Sequence, residues 1–332
     1  MDRIISLVIP HIGEQIFVSV DTKTLLRCVL VSKTWKVLAE NVLYKRFKSQ
    51  LLMAFTYGYP KIVKILIDRL DSEALNSRVH KRINMTPFMV ACKEGPLGKV
   101  KLFLEHAESK GIAVNAKDKF EHTAFMHAYQ AHKITVLKAL LEYKGGQRID
   151  ANAKNDYDDT VFTWACADGD LKVVELLMDY SVSNDIDLNT KDNIRGMTTL
   201  MSACEEENLE LVKLLFSHSN SHRIDFNATD NNGCTAFIYA CQNENLDIVK
   251  VFLEHSESKS IDLNATFTED EDEWNAFTFS CWYGNTDLVR LLLDHSSKIQ
   301  INIVAALQKP EVSFNLEMCT LLENYLENSI GK

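Results

Sequence analysis

Ten histidines and eight cysteines are spread through the 332 residues, enough to hold a metal ion or to build a nucleophilic site. Zinc and thiol chemistry call for such residues at short, fixed spacings. The chain has no Cys-x-x-Cys pair and no His-Glu-x-x-His run. It also has no glycine-rich phosphate loop and no Gly-x-Ser-x-Gly elbow. Five cysteines recur instead at one equivalent site, each after a small Ala or Ser: Cys92, Cys166, Cys204, Cys241 and Cys281. Thiols placed this way are expected to pack, reduced, where helices approach closely. His218, His255 and His295 also recur in register, with His106 nearby, and suit the negative end of a helix. The sequence therefore predicts no catalytic residue, no metal site, no cofactor and no enzyme.

The elements that position these residues repeat. A short phrase returns as Ile112-Ala113-Val114-Asn115-Ala116, Ile149-Asp150-Ala151-Asn152-Ala153 and Ile186-Asp187-Leu188-Asn189-Thr190. It comes again as Ile224-Asp225-Phe226-Asn227-Ala228, Ile261-Asp262-Leu263-Asn264-Ala265 and Ile299-Gln300-Ile301-Asn302. The asparagines fall 37 or 38 residues apart. Such a fixed period marks stacked supersecondary units, which mostly present surfaces to other proteins. Each unit opens on a threonine suited to cap a helix: Thr86, Thr123, Thr160, Thr198 and Thr235. A short inner helix is expected to end near Gly95, Gly169, Asn208, Asn245 or Gly284, since Gly and Asn tolerate left-handed backbone. A longer second helix follows, as in Val173-Val174-Glu175-Leu176-Leu177, with apolar residues at i, i+3 and i+4.

The Thr-x-Phe start, the Ala-Cys pair, the Val-Val-x-Leu-Leu helix and the Asp-x-Asn-Ala turn together resemble the ankyrin repeat. The resemblance covers residues 51–332 and implies an all-α solenoid of helix pairs and hairpin loops. A degenerate first unit is expected at 51–80, with units starting near 81, 118, 155, 193, 230 and 270. A helical cap is expected at 303–328, because a terminal repeat turns one face to water.

The first fifty residues break the pattern. Their apolar markers are Ile16, Phe17, Val20, Leu25, Leu26, Val31 and Trp35, followed by Leu43-Tyr44-Lys45-Arg46-Phe47. Three short amphipathic segments expose more apolar surface than so small a unit can bury alone. That surface meets either the repeats or a partner, and a helical cap for the repeats is the plainer alternative. Residues 9–47 resemble the F-box, a three-helix module that docks substrate receptors onto a Skp1-type adaptor of a cullin ubiquitin ligase. The resemblance implies that those seven residues contact the adaptor. It implies a substrate receptor for ubiquitin transfer, with an unknown protein target bound by the repeats. The competing reading is an ankyrin scaffold or sequestering protein without a ubiquitin link, including a viral or parasite decoy.

Charge and composition narrow the partners. The net charge is −10, with +4 on residues 1–50 and the rest on the repeats. An acidic array is a poor phosphate binder, so nucleic acid is not expected as a ligand. No apolar stretch is long enough for a membrane helix. The cysteine usage predicts a reducing compartment, cytoplasm or nucleus, and the chain is expected to be a monomer before it meets its partners. Ankyrin arrays bind with hairpin tips and inner helices. Carried onto this sequence, that places Phe120, His122, Tyr157, Asp159, Arg195, Met197 and Trp274 at tips, and Trp282 and Tyr283 on an inner helix. Trp274 and Trp282 have no counterpart in other units and are expected to be exposed binding anchors. His127, Trp164, Tyr239 and Phe279 share a variable inner-helix position where core packing is expected. The run Glu269-Asp270-Glu271-Asp272-Glu273 is expected to form a solvated tip.

Overall fold

The computed structural model describes residues 21–28, 33–48, 55, 60–79, 82–218, 224–269, 272–297, 299, 303–307 and 315–330. Its contacts divide the chain into two compact units, Met1–Asp156 and Tyr157–Lys332. Both are built from helix pairs, as the period requires.

In the first unit, helices Thr22–Cys28 and Lys33–Lys48 precede Pro60–Arg69 and Ser72–Leu75. The pairs Pro87–Glu94 with Leu97–Lys110, and Ala124–Gln130 with Ile134–Leu141, follow. The helix Lys33–Lys48 buries Leu38, Ala39, Val42 and Leu43. It packs against Pro60–Arg69. Arg69 donates to Asn41 Oδ1 at 2.7 Å, lies 3.6 Å from Glu40 and sits over the Tyr44 ring. Phe55, Phe88 and Phe103 fill the neighbouring core, with ring centroids 5.3 and 5.8 Å apart.

In the second unit the pairs are Val161–Ala167 with Leu171–Asn184, Thr199–Glu205 with Leu209–His218, and Ala236–Gln242 with Leu246–His255. Ala276–Tyr283 and Thr286–Asp294 come next, then Ile303–Leu307 and Leu316–Ile330. Phe162, Phe237 and Phe277 are fully buried in register, and Phe252 of a second helix packs on Phe237 with centroids 5.7 Å apart. Among the described residues, one strand pair departs from the all-helical expectation. Thr266–Glu269 and Asp272–Asn275 pair as an antiparallel hairpin with Phe267 opposite Trp274. This hairpin holds the ends of the acidic run, and residues 270 and 271 lie outside the described residues.

The threonines do cap the inner helices. Thr86, Thr123, Thr160, Thr198 and Thr235 each accept from the backbone N–H three residues on, and Asn275 does so in the last pair. Such a cap contributes about 1 kcal/mol. The inner-helix ends match expectation at Gly169 and Gly284 and differ elsewhere. The left-handed residues are His132, Gly169, Glu207, Glu244 and Gly284, whereas Gly95 is extended. Asn208 and Asn245 follow the left-handed residue and cap the second helix, accepting from Leu211 and Ile248 N–H at 3.1 Å. At the hairpin tips, Gly196 has φ 72°, and a Cβ there would lie 2.5 Å from Asn231 Oδ1.

The recurring asparagine joins neighbouring repeats. Asn115 Oδ1 accepts from Asp150 N–H at 2.9 Å and its amide donates to Arg148 O at 2.7 Å. Asn227 repeats both bonds with Asp262 and Ser260 at 2.8 and 2.9 Å. Asn76 and Asn189 bind Ala113 and Asp225 N–H in the same way. The aspartate two residues earlier folds the turn, as Asp225 does by accepting from Asn227 N–H at 3.0 Å.

Candidate functional site

Four histidines have the structural role expected of them. His106, His218, His255 and His295 each donate Nδ1–H to the carbonyl four residues earlier. Cys92, Cys166, Cys204, Cys241 and Cys281 are buried free thiols. Burial pushes all five thiols up, Cys281 to about 12.

At the N-terminal segment, Ile16, Phe17, Val20 and Val31 lie outside the described residues, as do the side chains of Leu26 and Trp35. Leu25 is fully buried. Its side chain is packed within the chain and not at the surface. Among the described side chains of the helix Lys33–Lys48, the exposed apolar one is Val37, 54% exposed.

On the first unit, Phe120 is partly exposed at its tip with Lys119 Nζ 4.7 Å above the ring. His122 lies beside it, half-buried, with ring centroids 5.9 Å apart. On the second unit Tyr157 is 72% exposed. Asp159 is half-buried and accepts from Trp164 Nε1 at 3.2 Å. Arg195 forks onto Glu205 with bonds of 2.6 and 2.5 Å, so its guanidinium is turned along its own unit. The hydrogen bond from Arg195 holds the Glu205 carboxyl below its usual range.

Two expected anchors are not on the surface. Met197 is 2% exposed. Its N–H donates to Asp192 Oδ2, which draws the side chain inward. Trp274 is 6% exposed, clustered with Phe267, Phe279, Cys234 and Ile238. The longer loop of this unit folds into strands, and the strand pairing turns Trp274 to the inside with Phe267. Trp282 packs half-buried on Trp274 at 5.4 Å and on Tyr283 at 5.0 Å. Tyr283, 59% exposed, is the open edge of this aromatic group.

A cavity of about 170 Å³ opens in the second unit between Val161–Ala167 and Thr199–Glu205. Asp158, Asp159, Asp192 and Glu206 line it, with Lys191 as the single lysine or arginine. Lys191 donates to Thr229 O at 2.6 Å. Burial alone would raise the Asp192 carboxyl. The N–H groups of Arg195, Ile194, Met197 and Gly196 outweigh that and hold it low, so it stays charged at neutral pH. Thr199 Oγ1, also at the cavity, is buried without a hydrogen-bond partner. The arrangement can hold a cationic side chain.

One grouping went unnoticed in the sequence. Asp118, His122 and His127 converge, with one ligand atom from each within 4.8 Å of the others. Nine residues separate Asp118 from His127, so no spacing motif links them.

Among the described residues no helix is long and apolar enough to cross a membrane. A family model for ankyrin repeats in three copies matches residues 51–155, 146–230 and 220–305. An F-box-like model matches residues 10–50. No curated protein matches the chain. Among solved structures, the ankyrin repeat domain of Bcl-3, an IkappaB family member, is similar at 22% identity and TM-score 0.53. That match covers 64% of this chain and 86% of that one, and shows the fold alone. An ankyrin repeat domain from Acinetobacter baumannii AYE matches at 24% identity and TM-score 0.49, covering 63% and 97%. Both matching families are protein-interaction modules. This chain belongs to the ankyrin-repeat family and carries an F-box-like domain ahead of its repeats.

Proposed function

We propose that the chain is the substrate receptor of a Skp1–cullin-type ubiquitin ligase. Its N-terminal segment would hold a Skp1-type adaptor, and its repeats would hold the protein to be ubiquitinated. The observation that carries this reading is the order of the matches, an F-box-like domain at 10–50 leading directly into repeats from 51. The exposed Val37 adds an apolar contact on that segment. Catalysis then belongs to other subunits, and the working compartment is the cytoplasm or nucleus. For the target, the carboxylate-lined cavity favours a segment carrying Lys or Arg. Phe120 on one unit, and Tyr157, Trp282 and Tyr283 on the other, are the aromatic contacts proposed. Aromatic side chains are common binding anchors.

A specific observation favours a second reading, a scaffold without a ubiquitin link. The helix Lys33–Lys48 packs against Pro60–Arg69, as a cap for the repeats would. Co-purification separates the two. The full chain is expected to co-elute with a Skp1-type adaptor, and Val37→Asp is expected to weaken the complex while leaving the melting temperature unchanged. Absence of any complex at micromolar concentration would sink the ligase reading and leave the scaffold.

A further inference from the structure

We infer that Asp118, His122 and His127 form a Zn²⁺ site at the base of a hairpin tip in the first unit. The site is built by the repeat itself. Asp118 Oδ1 accepts from Phe120 N–H at 2.8 Å and His122 N–H at 3.0 Å, which folds the tip and brings the His122 side chain back over the carboxylate. The second oxygen, Oδ2, faces the inner helix Ala124–Gln130, where His127 Nε2 lies 3.0 Å away. The His122 and His127 rings meet edge to face with centroids 5.7 Å apart. Ligands of a tetrahedral zinc at about 2.0–2.2 Å stand a little over 3 Å from one another. The Asp118–His127 separation is close to that size, and a His122 ring nitrogen lies within 4.8 Å of both.

The equivalent three positions in the other units carry different side chains. They read Asn155, Asp159, Trp164, then Asp192, Met197, Ser202, then Asp230, Cys234, Tyr239. Tyr239 completes its unit with one hydroxyl hydrogen bond to Asp230 Oδ2 at 2.8 Å. His127 makes the equivalent contact with Asp118 Oδ2 through Nε2, which leaves its other ring nitrogen over. Its Nδ1 is buried with no hydrogen-bond partner, although the side chain is 2% exposed. A histidine used only for packing usually has both nitrogens matched. Among these four units, only this one carries three ligands, two of them imidazole, a donor set suited to zinc. Asp118 and His127 are enclosed and His122 is half-buried, which leaves the fourth coordination position on the solvent side for water. A bound ion would tie the tip that presents Phe120 to the helix behind it.

The test uses the full chain, chelator-treated and kept reduced. Zn²⁺ is titrated by calorimetry, and Co²⁺ is followed by its visible absorption. One ion per chain is expected, with tetrahedral Co²⁺ bands, no thiolate charge transfer, and a rise in melting temperature on adding Zn²⁺. His122→Ala should weaken binding by more than about tenfold, the scale seen on losing even an outer partner of a metal site. Asp118→Asn should weaken it too, while His218→Ala leaves it unchanged. His122→Ala is expected to melt near the metal-free parent, since His122 is only half-buried. No binding by the parent chain would overturn the site. So would unchanged affinity in both His122→Ala and Asp118→Asn, or a thiolate signature.

Discussion

Cys281 sits fully buried with its thiol pushed up to about 12, so almost none of it is thiolate at neutral pH. Thiolate is the reactive form. The same holds for Cys92, Cys166, Cys204 and Cys241. In the folded chain these five are expected to resist a disulfide reagent that labels half-buried Cys319 first, and all to react on unfolding. Rapid native labelling of any of the five would refute this. Their burial was legible because five thiols share one register. The four helix-ending histidines were legible for the same reason. His127 was not, because its position is held by Trp164, Ser202 and Tyr239 elsewhere, and register then says nothing about role. Its partners come from a hairpin and a helix that only folding brings together.

At the scale of one element, the turn after an inner helix carries a left-handed residue in the units from His132 onward, though not at Gly95. Gly169 and Gly284 fit it, but Glu244 holds φ 58° with an exposed side chain. A side chain in that conformation costs about 1–2 kcal/mol. Glycine removes the strain while losing about 0.5–1 kcal/mol to unfolded-chain entropy. Glu244→Gly is therefore expected to raise stability by up to about 1 kcal/mol, read as a higher urea midpoint at unchanged slope; a lower midpoint would contradict it. The sequence marked the adjoining Asn208 and Asn245 as the turn residues because asparagine serves both as a left-handed residue and as a helix cap. Only the backbone angles tell the two roles apart. Trp274 misled for a different reason. Tips elsewhere are loops, whereas here Thr266–Glu269 and Asp272–Asn275 pair as strands, and Phe267 opposite Trp274 closes a hydrophobic pair.

For the molecule as a whole, stability is a sum of repeats and the joints between them. Asn227 makes one such joint, with two bonds to the backbone of the following repeat. Asn227→Ala should lower unfolding stability by roughly 1 kcal/mol, because both bonds are exposed and each contributes modestly. A change in partner binding without loss of stability would show that the asparagine serves recognition instead. The period was legible from these asparagines, but their function as joints was not, since sequence gives no hint of what a side chain reaches 35 residues on. There is a further consequence. The joint runs from one amide side chain to main-chain N–H and C=O, which every residue but proline offers. A neighbour can thus change all its surface residues and still be held. A block of 37 or 38 residues could be copied, removed or exchanged, and the new seam would need only its asparagine, so a lineage could vary what the array grips while keeping the same fastening.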